Sequence, residues 1–277
     1  MIKSKYKPLA GVEKIYSYVV LFFSALFSFI LFGVFNRIHL HGWSNFRRKP
    51  GTLLLPNHRT MIDSFLVACF SCFPWALLKP SLAPYHPAAA ENFFRGSLLA
   101  WFSRMWRCIP IKPGRIDPTA LRVIEELLPQ GIVMVFPEGT RSRSGKVGKG
   151  RIGVGRLILD TDPQVVPVYV VGMEKVLPIG AKFPRIFRRL DIYFGKPLDF
   201  SNLMSGPRDR KAAQQAVDTV MGELRIMEKI HAANSAMPWT QKLRGRFLGF
   251  WMLMLGVIKT AVAFPREIIR ILSFGKL

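Results

Sequence analysis

The chain has 277 residues, enough to bury a substantial core, and we expect one large domain. Its net charge of +23 indicates a polyanion, an anionic membrane surface or a phosphorylated substrate as partner. A composition with 50% hydrophobic and 12% aromatic residues is too apolar for a typical soluble nucleic-acid-binding protein. We therefore expect a membrane partner and no nucleic acid.

The first predicted element is an uncharged apolar run at residues 16–35, YSYVVLFFSALFSFILFGVF. Its length matches the roughly 20 residues that a helix needs to cross the hydrocarbon layer. Basic residues flank it on both sides, so the positive-inside rule gives no firm orientation. No small-residue cleavage site follows, which argues against a signal peptide. We expect residues 1–36 to form a membrane-anchoring helical segment, either a retained membrane helix or a hairpin that dips into one leaflet.

The central part of the chain alternates short apolar runs with helical patterns, which predicts an α/β fold. We expect a mixed, largely parallel central sheet flanked by helices, within a domain at residues 37–235. The predicted strands are 37–41, 52–55, 75–78, 108–111, 132–136, 165–171 and 191–194. The predicted helices are 63–73, 92–106, 117–128, 152–159 and a polar helix that opens at 206–210 and runs to about 233. For the helix at 117–128, Asp117 is the predicted cap and Pro118 the first helical residue.

Residues 236–277 are predicted to be a basic, apolar, membrane-associated extension. Its apolar segment at 247–264 is interrupted by Lys259 and flanked by arginines. Such segments favour basic amphipathic helices that lie in the headgroup plane.

The sequence contains three cysteines, and two of them, Cys69 and Cys72, form a lone C-x-x-C. Both stand in the apolar helical pattern SFLVACFSCF, so we interpret them as core residues and expect no metal site. The absence of disulfide spacing fits a reducing compartment. We therefore expect the domain at 37–235 to lie on the cytoplasmic face of a membrane.

The stretch N-H-R-T-M-I-D places His58 and Asp63 directly after a predicted strand. On one continuous helix this spacing would set the two side chains about 140° apart, and they could not touch. If the helix begins only after His58, the chain bends and the carboxylate can reach one ring nitrogen. An imidazole held in this way is a general base with a fixed tautomer. A buried histidine bonded to backbone is the structural alternative, and this motif alone does not decide between them.

A second polar turn, F-P-E-G-T-R-S, follows another predicted strand. Gly139 lets backbone amides approach a ligand, Thr140 adds a hydroxyl, and Arg141 supplies a forked cation suited to phosphate. Glu138 would be unusual in a plain anion site, and we expect it to orient Arg141 or a substrate hydroxyl. Two strand ends with chemically active turns predict one site at the carboxyl edge of the sheet, bordered by a basic loop at 142–151.

Together, N-H-R-T-M-I-D and F-P-E-G-T-R-S resemble the lysophospholipid acyltransferase family, typified by the 1-acylglycerol-3-phosphate acyltransferases. That family carries N-H-x4-D as its first block and F-P-E-G-T-R-S as its third. C-I-P-I-K-P-G-R stands where the second block belongs, and both Lys112 and Arg115 are candidates for its phosphate-binding cation. V-V-P-V-Y at 165–169 matches the fourth block, so the resemblance covers residues 37–200.

The resemblance implies that His58 removes the proton of a glycerol hydroxyl, that Asp63 holds the imidazolium, and that no acyl-enzyme forms. It implies that Gly139 and Arg141 grip the acceptor phosphate, and we expect Arg115, Glu138 and Thr140 to complete the substrate-binding set. Neither a metal nor another cofactor is needed.

We therefore expect a membrane-bound acyltransferase that moves a fatty acyl group from acyl-CoA or acyl carrier protein to a lysophospholipid. The expected acceptor is 1-acyl-sn-glycerol 3-phosphate, and the expected product is phosphatidic acid. Another lysolipid or glycerol 3-phosphate is the alternative acceptor. A non-catalytic membrane protein or a nucleic-acid-binding protein is the alternative of a different class.

Overall fold

The computed structural model describes residues 9–73, 75–112, 117–142 and 144–236. The strands are β1 (Arg37–His41), β2 (Thr52–Pro56), β3 (His86–Ala89), β4 (Cys108–Ile111), β5 (Ile132–Met134), β6 (Gln164–Val171) and β7 (Arg189–Phe194). The helices are α1 (Val12–Ser28), α2 (Asp63–Cys72), α3 (Trp75–Leu78), α4 (Ala90–Phe93), α5 (Ser97–Met105), α6 (Pro118–Leu127), α7 (Ile152–Thr161), α8 (Met173–Val176), α9 (Ser201–Met204) and α10 (Arg210–Ala236). The predicted C-terminal extension lies outside the described residues, apart from its first residue.

The central sheet has five strands in the order β1-β7-β6-β2-β5. Neighbouring strands run parallel except for the β6–β7 pair. Strands β3 and β4 form a second, parallel pair. Tyr85 joins the two sheets, because its amide donates to Ile132 O at 2.8 Å and its carbonyl accepts from Met134 N at 2.8 Å. The predicted α/β class with a mixed, largely parallel sheet is confirmed.

Helices cover both faces of the central sheet, because side chains alternate between faces along each strand. On one face, Leu54, Val166 and Ile192 share a core cluster with residues of α1 and α2. On the other face, Leu53 and Val165 pack with residues of α6, α7 and α10. Strands β2, β5, β6 and β7 therefore carry buried residues on both faces, as expected for the centre of an α/β fold, whereas the edge strand β1 has no fully buried residue.

Helices α7 and α10 make a close contact at Gly155. A Cβ atom at this position would lie 1.8 Å from the carbonyl oxygen of Ala213. Only glycine permits this approach, which holds α10 against the sheet.

The N-terminal helix packs on the fold with one face and exposes the other. Helix α1 continues as a π-helix to Val34, and the combined 23 residues are long and apolar enough to cross a membrane, with a mean hydropathy of 2.2 over an 18-residue window. Tyr18 and Leu21 are buried in the core, whereas Phe23 and Phe27 are exposed. The predicted N-terminal helix is present, and part of it belongs to the core of the α/β fold.

Three details of the secondary-structure prediction were wrong. The predicted strand at 75–78 is helix α3, and the strand that was missed is β3, H-P-A-A. A four-residue apolar run fits a strand and a buried helix equally well, so its periodicity does not distinguish the two. The predicted helix at 92–106 is divided into α4 and α5 at Gly96, whose φ of 69° breaks a right-handed helix.

The three cysteines are free and buried. Burial raises the pKa of Cys72 and of Cys108 to about 12, so these thiols stay protonated at neutral pH. The interpretation of the C-x-x-C as part of the core is confirmed.

A buried carboxylate next to the first strand predicts an acid-sensitive contribution to stability. Asp191 accepts from Arg189 Nε at 2.7 Å and lies 3.0 Å from His41 Nε2. Burial raises the pKa of Asp191, but the hydrogen bonds from His41 and Arg189 outweigh it and hold that pKa well below its ordinary value. Because the folded-state pKa is the lower one, this stabilisation is present above roughly pH 4 and is lost as the pH falls further.

We expect Asp191→Asn to lower the free energy of unfolding by about 1.5–3 kcal/mol at pH 7, the usual contribution of hydrogen bonds to a charged group. The difference from wild type should shrink at pH 3. Urea unfolding at both pH values measures it, with the exposed Asp160→Asn as control. An equal loss at both pH values would contradict the assignment.

Candidate active site

The end of strand β2 is fixed to strand β6 by the Asn57 side chain. Its amide nitrogen donates to Val170 O at 3.0 Å, and its oxygen accepts from Val170 N at 2.6 Å. These bonds continue the β2–β6 pairing by one residue. Helix α2 begins only at Asp63, so the chain bends directly after Asn57 and His58 stands in the bend.

His58 and Asp63 are in contact, as their predicted roles require. Their Nδ1 and Oδ2 atoms are 2.9 Å apart. The side chain of His58 is 19% exposed, whereas that of Asp63 is fully buried at 0%. Because an ionised carboxylate only accepts, it fixes the proton on Nδ1 and leaves Nε2 as the basic nitrogen.

The loop between the two residues holds the Asp63 carboxylate. The amides of Arg59 and Thr60 donate to Oδ2, the latter at 2.8 Å, and the Thr60 hydroxyl donates to Oδ1 at 2.6 Å. On the other side, the imidazole stacks on the ring of Phe136, with centroids 3.9 Å apart and planes 17° apart. The ring position is therefore set by a carboxylate at one nitrogen and an aromatic ring on one face.

The buried side chain of Glu138 connects the loop that carries it to the loop that carries His58. It is buried, and its carboxylate accepts from His58 N at 3.2 Å and from Gly148 N at 3.1 Å. Burial raises the pKa of Glu138, and the hydrogen bonds from these two amides partly offset that effect. A Cβ atom at position 148 would lie 2.8 Å from Oε2, so a side chain there would displace the carboxylate. The carboxylate partners are therefore backbone amides rather than the Arg141 guanidinium, and the expected contact with a substrate hydroxyl stays a prediction.

Gly139, Thr140 and Arg141 of F-P-E-G-T-R-S are exposed, in the loop that Ser142 joins to His58. Gly139 has a φ of 68° and closes a turn through its amide, which donates to Phe136 O at 3.0 Å. The amide of Ser142 donates to the carbonyl of His58 at 2.9 Å. The structure therefore brings both predicted loops to the same edge of the sheet.

The second block is only partly described. Lys112 is exposed and directly follows β4, whose carboxyl end lies at the same edge as those of β2 and β5 because the strands are parallel. Arg115 lies outside the described residues. Lys112 is thus the second-block cation that the structure places at the site edge.

Sequence reasoning missed a buried polar group next to His58. Arg59 Nη2 donates to the Tyr169 hydroxyl at 3.2 Å and lies 3.8 Å from Glu228 Oε1, while its buried Nε has no hydrogen-bond partner. Val147 N also donates to Glu228, at 3.3 Å. Burial raises the pKa of Tyr169 to about 12, so the phenol stays protonated. Helix α10 thereby reaches the loop that carries His58.

The position of Arg59 inside the first motif was the available signal for this group. Nothing in the sequence connects it to Glu228, far along the chain. Among the described residues, no group of three or more His, Cys, Asp or Glu could hold a metal ion.

The family model that matches this chain and two of its curated relatives are described as acyltransferases. A family model described as Acyltransferase matches residues 37–171, which contain both motif loops. A chloroplastic 1-acyl-sn-glycerol-3-phosphate acyltransferase of Arabidopsis thaliana is 26% identical over 168 residues, covering 58% of this chain and 43% of the relative. One from Brassica napus is 33% identical over 90 residues, which cover 31% of this chain and 26% of that relative. Taffazin of Dictyostelium discoideum is 28% identical over 157 residues, which cover 53% of this chain and 54% of that relative.

The chain thus spans about half or less of the length of these curated relatives. Among solved structures, the 1-acyl-sn-glycerophosphate (LPA) acyltransferase PlsC from Thermotoga maritima matches with a TM-score of 0.53 at 21% identity. That match covers 78% of this chain and 84% of the other. Because the sequence identity is low, the match shows a similar fold and nothing more. Residues 37–171, which carry the two motif loops assembled around His58, match the acyltransferase family, and the chain is similar to 1-acylglycerol-3-phosphate acyltransferases.

Proposed function

We propose that this chain transfers a fatty acyl group from the thioester of acyl-CoA or acyl carrier protein to the hydroxyl of a lysophospholipid. The proposed acceptor is 1-acyl-sn-glycerol 3-phosphate, with phosphatidic acid as product. The observation that carries the proposal is the His58 imidazole, which a buried carboxylate holds at Nδ1 while the ring stays partly exposed. The names of the plant relatives support the choice of acceptor.

The geometry supports a direct transfer. Nε2 of His58 takes the proton of the acceptor hydroxyl, and the oxygen attacks the thioester carbonyl carbon. The resulting tetrahedral intermediate collapses, the carbon–sulfur bond breaks, and the proton passes from His58 to the leaving thiolate. Asp63 stabilises the imidazolium while it exists, as the buried carboxylate does in a catalytic triad. The acceptor oxygen is the nucleophile, so no side chain has to become acylated.

The acceptor phosphate is assigned to the surface next to His58. The exposed guanidinium of Arg141 can form two parallel hydrogen bonds to phosphate oxygens. Gly139 opens the backbone beside it, Thr140 offers a hydroxyl, and Lys112 or Arg115 adds a cation from the neighbouring strand end. Glu138 is a positioning residue in this scheme, because its carboxylate holds the backbone of His58.

The acceptor is a lipid, so we place the protein at a membrane. The exposed apolar face of α1 supports this placement. The buried, free thiols are consistent with a catalytic domain on the cytoplasmic side.

Product analysis tests the proposal. The purified full-length chain is incubated with radiolabelled acyl-CoA or acyl carrier protein and a panel of acceptors: 1-acylglycerol 3-phosphate, other lysophospholipids and glycerol 3-phosphate. We expect phosphatidic acid as the main product, separated by thin-layer chromatography. A preference for another acceptor would correct the substrate, and the absence of any acylated product would refute the activity.

Arg141→Ala should raise the KM for the phosphorylated acceptor by about 10- to 100-fold, because hydrogen bonds to a charged group contribute roughly 1.5–3 kcal/mol. The kcat should change much less, since the contact is present before and during the reaction. Initial rates over a range of acceptor concentrations measure both constants. Arg122→Ala, an exposed arginine on α6, is the control. A loss of kcat at unchanged KM would count against the phosphate role.

A further inference from the structure

The segment between α8 and β7, residues 177–188, exposes an unusual amount of apolar surface. Ile179, Phe183 and Phe187 are 76%, 80% and 69% exposed. Single exposed apolar side chains are ordinary, but several large ones on one short segment indicate a partner.

The same segment is strongly basic. Lys182, Arg185 and Arg188 are exposed, and residues 177–188 contain no aspartate or glutamate. Cations interleaved with large apolar side chains are typical of surfaces that bind anionic lipid headgroups while their apolar groups enter the interface. The composition therefore favours an anionic bilayer over an uncharged apolar partner.

The segment lies at the edge of the sheet that carries the active site. It follows the carboxyl end of β6, which is parallel to β2, the strand that ends before His58. It also adjoins the end of the N-terminal apolar helix, because Phe187 N donates to Phe35 O at 2.8 Å. Val34 and Phe35 are exposed as well. The apolar surface is thus continuous from the end of the helix to the segment.

Backbone hydrogen bonds hold this segment against the rest of the fold. Arg185 N donates to Val176 O at 2.7 Å, and Arg188 N donates to Asn36 Oδ1 at 2.8 Å. Phe187 has a φ of 60°, a left-handed conformation that costs a residue other than glycine about 1–2 kcal/mol. The fold therefore keeps Phe187 in a strained conformation with its ring exposed. In water an exposed ring provides no hydrophobic stabilisation that would offset the strain.

We infer that Val34, Phe35 and residues 177–188 form a docking patch for an anionic bilayer surface. Docking through this patch turns the carboxyl edge of the sheet, with His58, toward the headgroups, so that a lipid acceptor reaches the imidazole from the membrane plane. The inference rests on the proposed function only in naming a lipid acceptor, because docking itself requires no acyl transfer. Its continuity with the apolar helix favours a bilayer over a soluble acidic protein such as acyl carrier protein.

Site-specific fluorescence tests the inference. Phe183→Cys introduces an accessible thiol, and the three native cysteines are buried with raised pKa values, so a fluorophore will label the new position selectively. The full-length protein is reconstituted in vesicles of phosphatidylglycerol and phosphatidylcholine. Quenching by iodide reports exposure to water, and quenching by acyl-chain nitroxides reports insertion. Glu126→Cys, on the exposed side of α6 at the opposite edge of the sheet, is the control.

We expect iodide to quench the probe at 183 several-fold less than the probe at 126, and acyl-chain nitroxides to quench it more. Protection should weaken in vesicles of phosphatidylcholine alone. Equal iodide quenching at the two positions, or protection only after acyl carrier protein is added, would overturn the inference. A second probe at Ile179→Cys guards against a local folding defect. Acyl transfer by the labelled protein in detergent is measured separately, so a failure of the proposed activity is distinguishable from a failure of docking.

Discussion

Replacing His58 by alanine is expected to lower kcat for acyl transfer by about 10³- to 10⁴-fold, within the range that general base catalysis and an oriented dyad contribute. The side chain is partly exposed and its main contacts are Asp63 and Phe136, so the protein should remain folded. Initial rates with purified protein measure the effect, and circular dichroism checks the fold. His39→Ala, which removes a histidine from β1, is the control. Substantial activity in folded His58→Ala protein would rule out the base assignment.

Asp63→Asn should lower kcat by a similar factor, but for a different chemical reason. An amide in place of the carboxylate can donate to Nδ1, which favours the tautomer with the proton on Nε2 and removes the base. The KM for the acceptor should change little. Comparing this variant with Asp63→Ala separates the tautomer from packing, because only the alanine variant also removes the side-chain volume.

Glu138→Ala, outside the His58–Asp63 pair, is also expected to have a large effect. It leaves the partly buried amides of His58 and Gly148 without their acceptor, which costs at most roughly 1–3 kcal/mol for each amide. We expect kcat/KM to fall by about 100-fold or more, because the hydrogen bond that is lost also holds His58 in position. Glu138→Gln keeps one acceptor oxygen and should lose less.

Steady-state kinetics and thermal unfolding of both Glu138 variants test this prediction. Glu126→Ala on α6 is a matched exposed control. Gly148→Ala should reproduce part of the Glu138→Ala loss, because its Cβ atom would meet Oε2 at 2.8 Å. If Glu138→Ala keeps normal kinetics and normal stability, the carboxylate does not position the loop.

The central contact of the site could be predicted because it depends on local geometry. A spacing of five residues brings His58 and Asp63 together only if the helix begins after the histidine, and α2 begins at Asp63. The meeting of the two motif loops also followed from the sequence. Each loop follows a strand, and the carboxyl ends of parallel strands meet at one edge.

The interior connections of the site could not be predicted, because they join residues that are distant in sequence. The contacts of Arg59 with Tyr169 and Glu228 depend on how α10 crosses the sheet. The Glu138 carboxylate turns inward to two backbone amides, and its place in a polar motif gave no sign of that direction. In both cases tertiary packing decides the partner.

Hydropathy gave the length of the N-terminal helix but did not show what covers it. Tyr18 and Leu21 face the α/β core, whereas Phe23 and Phe27 face outward, and all four stand in one uniformly apolar run. The same limit applies to strand β3. Its sequence H-P-A-A has low strand propensity, and its pairing with β4 places it in a sheet.

The most direct test of the proposed chemistry is whether an acyl group ever resides on the protein. Purified protein is mixed with a radiolabelled acyl thioester, first without and then with 1-acylglycerol 3-phosphate, and quenched within one turnover for intact-mass and product analysis. Direct transfer from thioester to acceptor oxygen through His58 predicts unmodified protein in the first case and labelled phosphatidic acid in the second. A covalent acyl adduct that forms without acceptor and disappears when acceptor is added would contradict it.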